Sequence, residues 1–457
     1  MKAPTRPTRP VLKTSRFFSL LHIPGFKPLA AATLMLGVAM SFTAPYLSLF
    51  GIERAGMTPL RLGVFMTLIA TSGVVASTLA GRWSDASGRH RPLLLAALVA
   101  AALGYLSLCV VRDYRLLLVV GIVFIGAGGS AISMVFSFSR AALPASDPAE
   151  RVFASATLRT ILSAAWVFGP SVGALVLAAS SFYGLFLFAA ASFATCGFIV
   201  WRMREPQGHL GDHTVEDTAS EPSASITVPP LRQPGEDAHE TLPVASANDI
   251  MRAVAALTLL GLAANATMIV LPLYIVHGLN GSHLDVSVML GLGALTEIPM
   301  MLALGAKSSS LHKPNWLAAC AAVHAVYFVA MSMAGNVGVL IPMQMLNAFV
   351  VAVTSCLGMT YVQDLMPHSP GRATALFFNA ARVGSILSGV LSGLLVQAFS
   401  FRGTFLFCGL LALCALVLFA VPGYRYPLMW AALKRFTAAQ YAKLQARRGA
   451  RMPERSE

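Results

Sequence analysis

Apolar residues fill this chain in twelve long runs, at roughly 29–51, 60–80, 92–111, 115–139, 153–179, 182–201, 250–276, 286–305, 314–334, 337–362, 374–399 and 403–423. At ~1.5 Å per residue, about 20 such residues cross the ~30 Å hydrocarbon core of a bilayer as a helix. The pattern predicts an all-α membrane protein with twelve transmembrane helices. Between the sixth and seventh runs lies 202–249, polar, proline-bearing and rich in Asp and Glu. It has no helical periodicity and reads as a flexible cytoplasmic linker. It separates two six-helix bundles, 29–201 and 250–423, flanked by tails at 1–28 and 424–457.

The two bundles carry matching landmarks. Arg159 interrupts the fifth run, and Arg382 interrupts the eleventh 223 residues later. Pro144 and Ser146 reappear as Pro367 and Ser369, Gly81 as Gly305, and Pro45 as Pro272. Near-constant offsets point to a duplicated membrane domain, a common plan among transporters.

Composition agrees with a lipid solvent: 56% of residues are hydrophobic, 11% are charged, and the mean hydropathy is +0.70. Average soluble domains are ~25% charged. The net charge of +14 would suggest nucleic acid in a soluble chain, but here its placement matters more. With the N-terminus inside, only Arg54, Arg61, Arg112, Arg115 and Arg402 fall in external loops, and most other Lys and Arg lie on the cytoplasmic side. That asymmetry orients a membrane protein, so both termini are expected in the cytoplasm and no nucleic acid is expected as partner. Residues 1–28 are basic and acid-free, but their prolines oppose the amphipathic helix of a mitochondrial presequence. They read as a retained tail. In the other tail, Leu428, Met429, Leu433, Phe436 and Leu444 are spaced to share a helix face beside Lys and Arg. Such a face suits the lipid of the inner leaflet; a solubilising tail is the alternative.

Six cysteines all lie in apolar runs with no CxxC pair, and read as packing residues rather than a disulfide or zinc framework. No Gly-Lys pair exists to build a phosphate-binding loop, and HExxH does not occur. The chain reads as neither an ATP-driven pump nor an enzyme, with no cofactor and no metal.

Between the second and third runs stands Gly81-Arg-Trp-Ser-Asp85-Ala-Ser-Gly88-Arg89-His-Arg91. The glycines permit sharp turns, and a carboxylate at a helix end can accept bonds from arginine or from helix N-terminal amides. This makes a conformational latch, with Arg140 at the end of the fourth run as the partner of Asp85. The loop resembles the signature of the major facilitator superfamily, departing at Ala86 and His90. Gly169-Pro170-x-x-Gly173 is similar to the core of the motif associated with proton antiporters. GRWSD (81–85), LR with AWVFGP (158–170), LTEIPM (295–300), YVQDLMP (361–367, with Asp364 a further latch residue) and ARVGSILSG (381–389) resemble the bacterial sugar efflux transporters within that superfamily. The resemblance implies two bundles around a cavity that opens alternately to either side. Helices 1, 4, 7 and 10 would line it, helix 5 would pack on helix 8, and helix 2 on helix 11.

Among the acidic residues only Glu297 lies deep in a run, ~12 Å from the cytoplasmic edge at helical rise, and Arg159 and Arg382 lie at comparable depth. A charge at the bilayer centre costs at least ~2.5–3.5 kcal/mol, so each is assigned a role in proton coupling or charge balance. A fixed Arg159–Glu297 ion pair is the structural alternative. His324, on a helix of the outer ring, reads as packing. For the substrate, the amides Asn265, Gln344, Asn347 and Asn379 are candidates, because an amide in lipid needs partners; Trp166 and Tyr46 add flat faces. The sequence therefore reads as a monomeric secondary transporter of a bacterial inner membrane. It would export sugars or sugar-like solutes against proton entry, with amphiphilic drug efflux and a non-transporting solute sensor as alternatives.

Overall fold

A computed structural model describes residues 25–142, 148–203, 246–307, 311–367 and 369–420. The helices are α1 Phe26–Glu53, α2 Pro59–Ser87, α3 His90–Val110, α4 Tyr114–Val120, α5 Ala131–Ala142, α6 Pro148–Arg202, α7 Ala247–Leu273, α8 His283–Lys307, α9 Lys313–Met333, α10 Val337–Val353, α11 Met359–Leu365 and α12 Pro370–Ala420. Wider π turns at Gly121–Gly126, Tyr274–Gly278 and Thr354–Gly358 continue α4, α7 and α10. There is no strand among the described residues.

Among the described residues, ten helical runs are long and apolar enough to cross a membrane. Two of them, Thr157–Arg202 and Arg372–Ala420, have 46 and 49 residues, about 70 Å at helical rise and more than twice the hydrocarbon core. Each folds back on itself at one serine. Ser181 has φ 60° and ψ −172°, and Ser400 has φ 61° and ψ −176°. Each long helix thus supplies two spans, and the chain crosses twelve times. The turns also share a sequence, SFYGLFLF at 181–188 and SFRGTFLF at 400–407. This duplication, at an offset of 219, is stronger than the proline and arginine landmarks, and Pro45 and Pro272 keep their places inside α1 and α7.

Helix starts follow from short polar side chains that accept the free amides. Thr58 caps α2, Asp113 accepts from the amides of Arg115 and Leu116, Asn336 caps α10, and Ser246 with Asp249 forms a capping box on α7. Gly88, at φ 67°, ends α2. Aromatic side chains fill the centre of each half: Tyr105 stacks on Phe193 at 5.5 Å, and Tyr274 meets Phe405 edge-on at 5.1 Å. Buried His324 lies against Phe328, with ring centroids 4.4 Å apart, in keeping with packing.

The halves meet along α1 and α7, α2 and α12, and α6 and α8. The face away from Gly25 and Ala420, called distal here, holds a close approach of α2 and α12. A Cβ on Gly63 of α2 would stand 2.5 Å from the Gly389 carbonyl oxygen and 3.0 Å from Gly393 Cα. Only glycine admits backbones this close.

Candidate functional site

Between the halves lies a cavity of about 330 Å³. Its walls come from α1, α2, α3, the Gly121–Gly126 turn, α6, α7 and α12. Much of the surface is apolar, with Met40, Met66 and Met268 prominent, and the polar positions are Trp166, Asn265, Ser385, Ser388 and Tyr105, whose hydroxyl is bonded to Thr43 at 3.0 Å. Asn265 donates its Nδ2 to the Gly261 carbonyl one helical turn back at 2.7 Å. Its side-chain oxygen is left as an acceptor at the wall. The half-buried Trp166 brings a flat ring and an indole N–H. A planar apolar face beside one acceptor and one donor is what a ring bearing hydroxyls needs.

Other sequence candidates stand elsewhere. Tyr46 is fully buried above the cavity, where its hydroxyl and that of Ser287 on α8 both reach the Pro170 carbonyl oxygen, at 3.0 and 2.8 Å, and contact each other. Gln344 is buried in the second half with its Oε1 toward Gly293 of α8, and neither it nor Asn347 lines the cavity. Asn379 is exposed on α12, also away from these walls. Of the expected lining by helices 1, 4, 7 and 10, the first three contribute and helix 10 does not. The spans of α2 and α12 take the place expected of helix 10, because they converge on the same seam.

The three membrane charges do not meet. Arg159 stacks over Phe136, with its guanidinium carbon 5.5 Å from the ring centroid. Glu297, half-buried on α8, has no ion pair or hydrogen bond among the described residues, and neither has the exposed Arg382. The Arg159–Glu297 pair is therefore not formed in this conformation. Of the latch residues, Arg91 donates to the Trp201 carbonyl and ties the start of α3 to the end of α6. Asp364 accepts from Lys313 at 2.7 Å, closing α9 on α11. Gly81 has open space around it, and Arg89 is exposed. The Asp85 and Arg140 side chains lie outside the described residues.

Four contacts that the sequence reading missed join the halves, all toward the distal face. They are the Tyr46–Ser287–Pro170 cluster, the glycine seam, Glu53 with His277 and His283, and Thr67. The Thr67 hydroxyl donates to the Ile386 carbonyl at 2.9 Å and accepts from the Val390 amide at 2.8 Å. They are distant in sequence and leave no local signal.

The family model described as Major Facilitator Superfamily matches residues 29–388 and again 255–437. A provisionally named sugar efflux transporter of Deinococcus radiodurans is 38% identical over 392 residues, covering 85% of this chain and 95% of its own. Sugar efflux transporter A of Dickeya chrysanthemi is 29% identical over 371 residues, covering 81% and 88%. Among solved structures, the nucleoside transporter NupG superposes with a TM-score of 0.67 at 12% identity, covering 87% of this chain and 99% of its own. A bacterial homolog of the human lysosomal transporter Spinster gives 0.65 at 10% identity, covering 90% and 97%. At these identities the superpositions speak for the fold alone.

Proposed function

The chain belongs to the major facilitator superfamily, and we propose that it exports sugars or sugar-like solutes across a bacterial inner membrane by proton-coupled alternating access. It is a multi-pass membrane transporter and not an enzyme. The finer reading takes support from relatives named for sugar efflux. The observation that carries it is the cavity between the halves, where Trp166 offers a flat face and Asn265 a free acceptor. In this reading both termini and the 202–249 linker face the cytoplasm, the distal face is periplasmic, and the conformation is closed to the outside. One chain holds a whole cavity, so a monomer suffices. Glu297 carries the proton: unpaired among the described residues, it is free to exchange one, and Arg159 on α6 approaches or withdraws as the halves rock. Arg382 serves a substrate oxygen or a more distant partner.

A second reading, efflux of amphiphiles, is favoured by the methionine walls, since thioether side chains adapt to varied apolar shapes. Proteoliposomes separate the two. Sugar flux driven by a pH gradient, weakened about tenfold or more in affinity by Trp166→Ala or Asn265→Ala, is the expected result. Glu297→Gln should exchange sugar yet fail to drive it uphill. Dye movement without sugar movement would establish the second reading, and no solute flux at all would leave the sensor.

A further inference from the structure

Glu53 ends α1 on the distal face and stands between two imidazoles of the other half. Its Oε1 lies 3.1 Å from His283 Nε2 and 3.4 Å from His277 Nε2, and its Oε2 lies 3.2 Å from His283 Nε2. His277 sits in the π turn that continues α7, and His283 opens α8. Both imidazoles therefore travel with the second half and Glu53 with the first. The carboxylate side chain is 20% exposed and the two imidazoles 37% and 35%, open enough to exchange protons with the water on that side. Phe182, next to the tight turn of α6, presents its ring edge-on to His283 at 6.1 Å.

The other charges at this end are engaged elsewhere or unpaired. Asp285 accepts from the Ser282 amide and hydroxyl at 2.7 and 2.8 Å. Arg112 lies over Phe50, and Arg61 over Tyr114, at 5.2 and 5.4 Å. Asp113 accepts from the Arg115 and Leu116 amides at 2.9 and 3.1 Å, and Arg54, beside Glu53, Arg115, and Arg402, past the α12 turn, form no ion pair with the three among the described residues. The two imidazoles are the groups left to answer Glu53.

We propose that Glu53, His277 and His283 form a proton-operated lock on the distal gate, closing it when the water on that side turns acid. Histidine ordinarily changes charge between about pH 5 and 8. A neutral imidazole donates an ordinary hydrogen bond to the carboxylate through Nε2, and an imidazolium makes that same bond charge-assisted. The contact exists only with the halves together at this face. By linkage, protons that bind better to the closed form shift the population toward it. This site goes beyond the coupling role of Glu297: it lies at the mouth, and sets how readily the gate opens rather than how many protons cross.

The test is made in lipid nanodiscs, where membrane orientation does not matter. Spin labels on Val110→Cys and Met333→Cys, 81% and 77% exposed at the distal ends of α3 and α9, report the distance between halves by pulsed electron resonance. The other cysteines are replaced and Glu297→Gln is included, so that the membrane carboxylate cannot contribute. The closed-to-open ratio should rise about fivefold between pH 8.0 and pH 5.5, as for partly exposed charge pairs. His277→Gln/His283→Gln should flatten the response, and Glu53→Gln alone should do the same should the double variant fail to fold. Populations that do not change with pH, or a Glu53→Gln protein that keeps the full shift, would overturn the lock. Neither result bears on which solute the cavity takes.

Discussion

Replacing Gly63 by alanine tests whether the glycine seam holds the distal face shut. The added methyl would sit 2.5 Å from the Gly389 carbonyl oxygen and 3.0 Å from Gly393 Cα. Both neighbours are backbone, so neither can swing aside. Relief to an ordinary contact near 3.5 Å requires α2 and α12 to part by about 1 Å. That movement stretches the Thr67 bonds to the Ile386 carbonyl and Val390 amide, now 2.9 and 2.8 Å, beyond useful range. Two lost hydrogen bonds at ~0.5–1.5 kcal/mol each, with some lost dispersion, give a penalty of about 2–3 kcal/mol. In the proposed cycle the penalty falls on the distally closed form alone, because the two helices separate when that face opens. The closed-to-open ratio should then fall about 30- to 150-fold, raising an open population of about 1% to between roughly a quarter and three fifths. The Val110/Met333 label pair reads this directly. Gly197→Ala is the control, because its new Cβ would meet only Leu98 Cβ at 3.9 Å. A folded Gly63→Ala protein with wild-type distances would refute the reasoning.

Ser181→Gly and Ser400→Gly should each raise thermal stability, measured by unfolding in detergent. Relief of ~1–3 kcal/mol of backbone strain outweighs the ~0.5–1 kcal/mol entropy cost of glycine; a lowered melting temperature in both would contradict the strain. Ser287→Ala should weaken distal closure about fivefold by removing one hydroxyl from the Pro170 carbonyl. Adding Tyr46→Phe should have a less than additive effect, since the two share one acceptor; fully additive distance shifts would show that they act separately.

The twelve spans were legible because the length of an apolar run is fixed by the bilayer itself. The duplication was legible too, though through weaker letters than those available. Arg159, Arg382 and the prolines were compared at offsets near 223, whereas the Ser-Phe-x-Gly turns recur at 219. The binding candidates divide for a physical reason. An amide or phenol in lipid needs partners, but the protein interior supplies them as readily as a ligand does. Tyr46 finds Pro170 and Ser287, and Gln344 faces α8, whereas Asn265 keeps an oxygen for the cavity. Glu53 reads in sequence as an ordinary helix-end acid; only the approach of α7 and α8 gives it a role.

The distal connections are slight: 54–58, 111–113, 279–282 and 334–336 link neighbouring spans, and single serines turn α6 and α12. From that side the molecule presents helix tips and almost no loop. A protease or an antibody arriving there finds little extended backbone to grip. For the same reason the described residues supply no flap to cover the entrance, and among them sealing falls to the spans themselves. An inhibitor acting from the distal side must therefore wedge between helix tips, and its binding would depend on the gate being open.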